Sequence, residues 1–307
     1  MVSFLGFLVV WHIAAEYLVG NPLFLAGAHH PDGHLPGAAR TGLPGVGAGR
    51  PPTVSDFEDY RDRFADVEMV RHDGILQVTL HTDGGSLKWS ERAHRELPLA
   101  FRRIATDPGN RVVILTGKGA DFLTEMAFEK RNTTPQGWDR VAHEGRHMLF
   151  DLLDIEVPVI AAVNGPATEH AELALLSDIV LAAESATFAD HQHVVAGVVP
   201  GDGVHLVWPW LLGMNRARYF LLTGQTLDAR QALELGLVAE VLPAERLLDR
   251  AWELARQLAG NTTLTLRYTR ACLTMLIRRE LQFGLAHGLA LESLAAVDAR
   301  SFPSTQP

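Results

Sequence analysis

The chain has 307 residues, with 27 basic and 36 acidic side chains and a net charge of −9 when histidine is neutral. Its 47% hydrophobic and 21% charged content excludes a disordered or collagen-like chain and is enough for a self-supporting core. The acidic balance argues against nucleic acid as the main partner. The one cysteine, Cys272, allows no intrachain disulfide and fits a reducing, cytoplasmic setting.

Met1 to Ala28 is apolar apart from Glu16, but His12, Glu16 and Asn21-Pro22 interrupt the run. A membrane span needs about 20 consecutive apolar residues, so no stable span is expected. His29 to Pro52 is rich in Gly, Pro and His and reads as linker. Residues 1–52 are therefore expected to be a poorly ordered extension. His29, His30 and His34 have no Cys neighbour and lie in a Gly/Pro-rich linker, a weak signal for a metal tract.

Beyond it the pattern alternates. A helical lead-in is expected over Asp56 to Phe64. Val67 to Arg71 and Ile75 to His81 read as strands around a His72-Asp73-Gly74 turn. Leu97, Phe101 and Ile104 recur at helical spacing within Ser90 to Thr106. Val112 to Thr116 is a short buried strand, and Trp138 to Leu153 a helix. Val157 to Val163 is almost wholly apolar, as in a strand covered on both faces. Helix is expected over Glu169 to Ser177 and strand over Ile179 to Ala183. Asn215 to Thr223, Ala229 to Leu235 and Ala244 to Leu258 read as helices, and Leu264 to Asp298 as one or two long ones. The alternation predicts an α/β core over 53–258 and a helical region over 259–307.

Three ordered motifs carry a resemblance. They are Val112-Val113-Ile114-Leu115-Thr116-Gly117, Pro158 to Ala167 with Asn164-Gly165-Pro166 at its end, and Ser177-Asp178-Ile179-Val180-Leu181-Ala182. Together with Tyr219 to Gly224 and Ala232 to Val238, they resemble the crotonase (enoyl-CoA hydratase/isomerase) superfamily over about Asp66 to Asp298. The resemblance implies a spiral of ββα units, a helical C-terminal region, and homotrimers or dimers of trimers. It also implies an oxyanion site of two backbone N–H groups. One would come from the loop Gly119 to Glu125, the other from the turn after Gly165, at Ala167.

The departures point to a branch. His170 stands where the family's turn has glycine. Glu172 keeps the place of the first hydratase glutamate, and His193 replaces the second. Asp202 lies in Pro200-Gly201-Asp202-Gly203. With Trp89, His94 and Glu292, this set resembles the β-diketone hydrolase branch, which cleaves a C–C bond between two carbonyls. That reaction needs a base for water and a sink for the carbanion. A neutral imidazole can be the base, and a carboxylate on its far nitrogen fixes the tautomer. His193 and Asp202 are expected to form that pair. His170 and Trp89 would hold the carbonyl, and Glu292 and His94 would orient water or substrate. No metal or organic cofactor is expected, since the second carbonyl accepts the electrons. The charged stretch from Phe128 to Pro135 suits a substrate more polar than a bicyclic hydrocarbon dione, with Val194, Val195 and Val198 as an apolar wall. The alternatives are a CoA-thioester hydratase, hydrolase or isomerase, and a catalytically silent scaffold.

Overall fold

The computed structural model describes residues 56–128, 134–194 and 197–298. The 1–52 extension, the charged stretch 129–133 and Val195 lie outside them. Among the described residues, no helix is long and apolar enough to cross a membrane.

Helix α1 (Phe57–Tyr60) is capped by the Asp56 side chain, which accepts from the Glu58 N–H. It is shorter than the expected lead-in. Strands β1 (Val67–His72) and β2 (Ile75–Leu80) form an antiparallel hairpin. Asp73 and Gly74 make its turn with φ of 51° and 78°, the left-handed pair that a tight hairpin demands. The two-residue strand β3 (Lys88–Trp89) leads into α2 (Glu91–Ala105). The Ser90 hydroxyl caps α2 by accepting from the Ala93 N–H at 3.2 Å.

Strand β4 (Val112–Gly117) follows, then β5 (Glu125–Met126), which pairs with β3, and then α3 (Pro135–Leu153). Helix α3 starts three residues earlier than expected, because Thr134 caps it and Pro135 suits its first turn. After β6 (Val159–Val163) come α4 (Glu172–Leu175), β7 (Ile179–Ala183) and β8 (Thr187–Phe188). The chain continues through α5 (Val204–Leu212), α6 (Met214–Thr223), β9 (Leu227–Asp228) and α7 (Ala229–Glu234). It then forms β10 (Glu240–Leu242), α8 (Ala244–Ala259) and α9 (Thr263–Asp298). Helix α9 is a single helix of 36 residues.

The main sheet runs β1-β2-β4-β6-β7-β10, with every pair after the hairpin parallel. Alternate residues of its strands feed two cores, which explains the unbroken apolar runs. Val112, Ile114, Ile160, Ala162 and Leu181 pack with Leu247, Ala251 and Ala255 of α8. Val113, Leu115, Val159, Ala161 and Val163 face the larger core with Leu97, Phe101, Leu149 and Leu152 of α2 and α3. Each fully buried Leu or Ile side chain contributes roughly 1.5–3 kcal/mol.

Helix α9 is fixed at its start by Arg270, which is buried. Arg270 Nε donates to Asp178 Oδ2 at 2.7 Å, and that oxygen also accepts from the Val159 N–H at 2.7 Å. The other end of α9 reaches the loops that follow β8.

Candidate active site

The loops at the carboxyl ends of β4 and β6 are sewn together, the usual place for a site on a parallel sheet. Asn164 Oδ1 accepts from the Gly117 N–H at 3.0 Å, and its Nδ2 donates to the carbonyls of Gly119 and Asp121. The Phe122 and Leu123 N–H groups donate to Pro166 O, and those of Thr168 and Glu169 donate to Leu123 O. The Ala167 N–H donates to Thr187 O at 2.8 Å. Ala167 therefore holds three chain segments together, and its N–H is not free to serve as the expected oxyanion donor. Glu125 likewise stands apart: it is exposed, and its carboxylate meets Lys88 Nζ at 3.1 Å.

His170 has φ of +44°. This is left-handed backbone, which glycine adopts freely and a histidine adopts at a cost of about 1–2 kcal/mol. The position keeps the geometry of the glycine expected there and spends it on an imidazole. The ring is buried against Trp89, with centroids 4.1 Å apart. Its Nδ1 lies 2.8 Å from Glu172 Oε1 and 3.4 Å from Asp202 Oδ2. Burial disfavours the His170 cation, but Glu172 and then Asp202 outweigh it and raise the pKa. Burial raises the Glu172 carboxyl against the pull of His170. His94 sits edge-on to Trp89 at 5.8 Å and pairs through Nδ1 with Glu144 Oε2 at 2.8 Å, so α2 and α3 fix it jointly.

His193 is buried between two carboxylates. Its Nδ1 lies 2.6 Å from Asp190 Oδ1, and its Nε2 lies 3.4 Å from Asp202 Oδ1. This corrects the expected pair: the close carboxylate on the far nitrogen is Asp190, while Asp202 faces the other nitrogen. Sequence reasoning missed Asp190, although its three-residue spacing from His193 in a turn was a usable signal. Gln192, also missed, donates from Nε2 to Asp202 Oδ2 at 3.0 Å.

Burial opposes charge on His193, but Asp202 and Asp190 outweigh it and raise its pKa well above the usual value. Burial would likewise raise Asp202, yet His193 and His170 hold it below the usual carboxylate range. Glu292 arrives from α9 with a buried Oε2 that has no hydrogen-bond partner among the described residues. Burial, then the charge of Asp202, pushes its pKa up to about 8. Burial also lifts Glu169, to about 7. Two carboxyls pushed apart in this way divide the roles: Asp202 stays an anion and Glu292 stays a neutral acid at pH 7.

The structure therefore gathers His170, His193, Asp202, Glu292 and Trp89 in one place, with His94 behind Trp89. One donor atom each from His193, Asp202 and Glu292 lies within 4.8 Å of the others, as does one each from His170, Glu172 and Asp202. Among the described residues these are the sets able to hold a metal ion. Both include the Asp202 carboxylate, whose Oδ2 faces His170 and Oδ1 faces His193.

The enoyl-CoA hydratase/isomerase family profile matches residues 71–293. The chain belongs to this family, the crotonase superfamily. An enoyl-CoA isomerase/hydratase of Mycosarcoma maydis is 34% identical over 188 residues, 61% of this chain and 67% of that protein. A carnitinyl-CoA dehydratase of Citrobacter koseri is 33% identical over 213 residues, 65% of this chain and 77% of that one. Among solved structures, a β-diketone hydrolase from the cyanobacterium Anabaena, bound to (S)-3-oxocyclohexyl acetic acid, is 48% identical with a TM-score of 0.76. That match covers 80% of this chain and 97% of the hydrolase. An enoyl-CoA hydratase/isomerase from Mycobacterium paratuberculosis is 28% identical with a TM-score of 0.73, covering 78% and 98%. The crotonase architecture and the likeness to the β-diketone hydrolase branch thus agree with the expectation from the motifs.

Proposed function

We propose that this enzyme hydrolyses a C–C bond of a cyclic β-diketone by a retro-Claisen reaction of the 6-oxocamphor hydrolase type, giving a keto acid. The observation that carries the reading is Asp202, an anion set between the imidazoles of His193 and His170 with the neutral acid Glu292 beside it. A thioester hydratase of this superfamily has a glycine and a glutamate where these two imidazoles stand. The 48% identity to a β-diketone hydrolase supports the same branch.

Water gives a proton to His193 Nε2, and its oxygen bonds to one ketone carbon. Asp202 stabilises the imidazolium so formed. The tetrahedral adduct collapses to a carboxyl group, breaking the bond to the central carbon. That electron pair moves into the enolate of the second ketone, whose oxygen is held by His170 and the Trp89 indole. The proton on His193 or Glu292 then passes to the enolate carbon, and the atoms balance as diketone plus water. His94 acts through Trp89 by keeping the indole in place. We further propose that the enzyme works as a homotrimer or a dimer of trimers. In support, α9 exposes Leu273, Phe283 and Leu294 at 71%, 80% and 70%, a costly apolar display for a monomer.

The test is turnover of a panel of cyclic 1,3-diketones in heavy-oxygen water, followed by mass spectrometry. The expected product is the keto acid with one heavy oxygen in its carboxyl group. His193→Ala and Asp202→Asn should each lower kcat by about 10²–10⁴-fold while the fold persists. Turnover of enoyl-CoA thioesters, with every dione left intact, overturns the reading.

A further inference from the structure

We propose that Asp190 is a positioning residue that locks His193 in the one tautomer able to act as a base; this rests on the retro-Claisen reading. The two carboxylates favour the His193 cation, and the base is the ring after that cation has lost one proton: it then has a single N–H, for which the two carboxylates compete. Asp190 Oδ1 stands 2.6 Å from Nδ1, whereas Asp202 Oδ1 stands 3.4 Å from Nε2. The shorter contact takes the hydrogen, so the lone pair lies on Nε2, facing Asp202. With Asp202 alone, the ring would donate from Nε2 and turn its lone pair on Nδ1 away from the shared space. Nε2 and Asp202 Oδ1 then form an edge on which a water about 2.8 Å from each can donate to both. Such a water is aligned for attack with its proton already directed at the base.

The surroundings of Asp190 fit this role better than a purely structural one. The backbone on both sides is pinned, since the Ala189 N–H donates to Ala167 O and the His191 N–H to Thr168 O. The segment that accepts these bonds runs on to His170 two residues later, so both imidazoles are held on one frame. Among the described residues, the Asp190 carboxylate is partnered by the His193 ring. Its other oxygen, Oδ2, is buried without a hydrogen-bond partner among the described residues. A carboxylate kept only to cap a turn would not leave an oxygen in that state, which costs stability. The groups facing His193 besides Asp190 are Asp202, Glu292, Glu169 and His170. The remaining carboxyls cannot replace Asp190, because the contact at Nδ1 is its own.

The experiment compares Asp190→Asn and Asp190→Glu with the wild type. Asp190→Asn should lower kcat by about 10²–10⁴-fold with KM within about threefold, and Asp190→Glu should recover part of the loss. Loss of the charge lowers the affinity of His193 for its proton, so the acid limb of the pH–rate profile should move to lower pH. Nitrogen NMR of the labelled His193 ring, followed with rising pH until the cation has lost its proton, should report Nδ1–H in the neutral wild-type ring and its loss in Asp190→Asn. Unchanged kcat with unchanged ring signals overturns the proposal, as does a wild-type ring protonated on Nε2 alone. If no diketone is turned over, the retro-Claisen reading falls, and the ring signals alone still decide the role of Asp190. If Asp190→Asn does not fold, the wild-type signals and Asp190→Glu decide it.

Discussion

Gly201 and Gly288 meet backbone to backbone, and a Cβ on Gly201 would collide with the Gly288 carbonyl and with the Glu292 side chain. Gly201 precedes Asp202 in the chain. Gly288 lies four residues before Glu292 on α9, and so on the same helical face. This contact brings the two carboxyls of the site together. Gly201→Ala should therefore cost about 2 kcal/mol or more and lower kcat at the same time, because the collision separates α9 from the loop. Thermal melting and kinetics check this; a variant with wild-type Tm and wild-type kcat would show that the contact is dispensable.

His170 offers a cleaner separation of stability from activity. Asparagine tolerates left-handed backbone, so His170→Asn should fold with a stability within about 1–2 kcal/mol of the wild type. It removes the imidazole from above Trp89, and kcat should fall by about 10²-fold or more. Full activity in His170→Asn would remove His170 from the carbonyl-binding role.

The pH dependence follows from Glu292 and His193. The folded pKa of Glu292 is about 8 against an ordinary 4.5. Between those values the folded chain holds a proton that the unfolded chain has lost, so stability falls as pH rises through the window. His193, also raised, adds to the fall above its ordinary 6.5. Asp202 acts in the opposite sense: its contribution is present above 3.8 and is lost only as pH falls below it. Tm should therefore decline from about pH 5 to about pH 8.5. Glu292→Gln should recover about 2 kcal/mol, or about 5 °C, of that decline. The rate should rise with pH as His193, held well above its ordinary 6.5, loses its proton, and ionisation of Glu292 beside Asp202 past about pH 8 should oppose that rise on the alkaline limb. A Glu292→Gln variant with the full wild-type decline and an unmoved alkaline limb contradicts this account.

Coenzyme A separates the branches of the family. A thioester enzyme binds the free coenzyme and gains stability as RT ln(1 + [L]/Kd), about 2.7 kcal/mol at a hundred times Kd. With a diketone as substrate, no such gain is expected: a thermal melt with millimolar CoA should match the melt without it. A clear saturable rise in Tm would favour the thioester reading.

Legibility in the sequence followed physical size. Buried parallel strands such as Val159–Val163 declare themselves by unbroken apolar runs, and α2 by its Leu97, Phe101 and Ile104 spacing. The two-residue strands β3, β5, β8 and β9 are too short to show any period. Helix α5 was missed because Val204–Leu212 is apolar on most sides and contains Pro209, which reads as a break. In the site, His170, His193 and Asp202 stood out because their side chains depart from a family pattern, and Glu292 through the likeness to one branch. Asp190 departs from nothing; its one sequence signal is the three-residue spacing from His193, and the contact at 2.6 Å gives that spacing its meaning. Ala167 and Glu125 failed for another reason: which backbone N–H is left over depends on how strands pair, and here Thr187 takes the Ala167 donor.

In the retro-Claisen reading, helix α9 supplies the last functional side chain, Glu292, from the far part of a 36-residue rod. On the ribosome, the sheet and both imidazoles emerge well before Glu292 does. A nascent chain is thus inert until its final helix has been translated and laid across the loops. A chain truncated before α9 would, in that reading, keep every strand and lack Glu292.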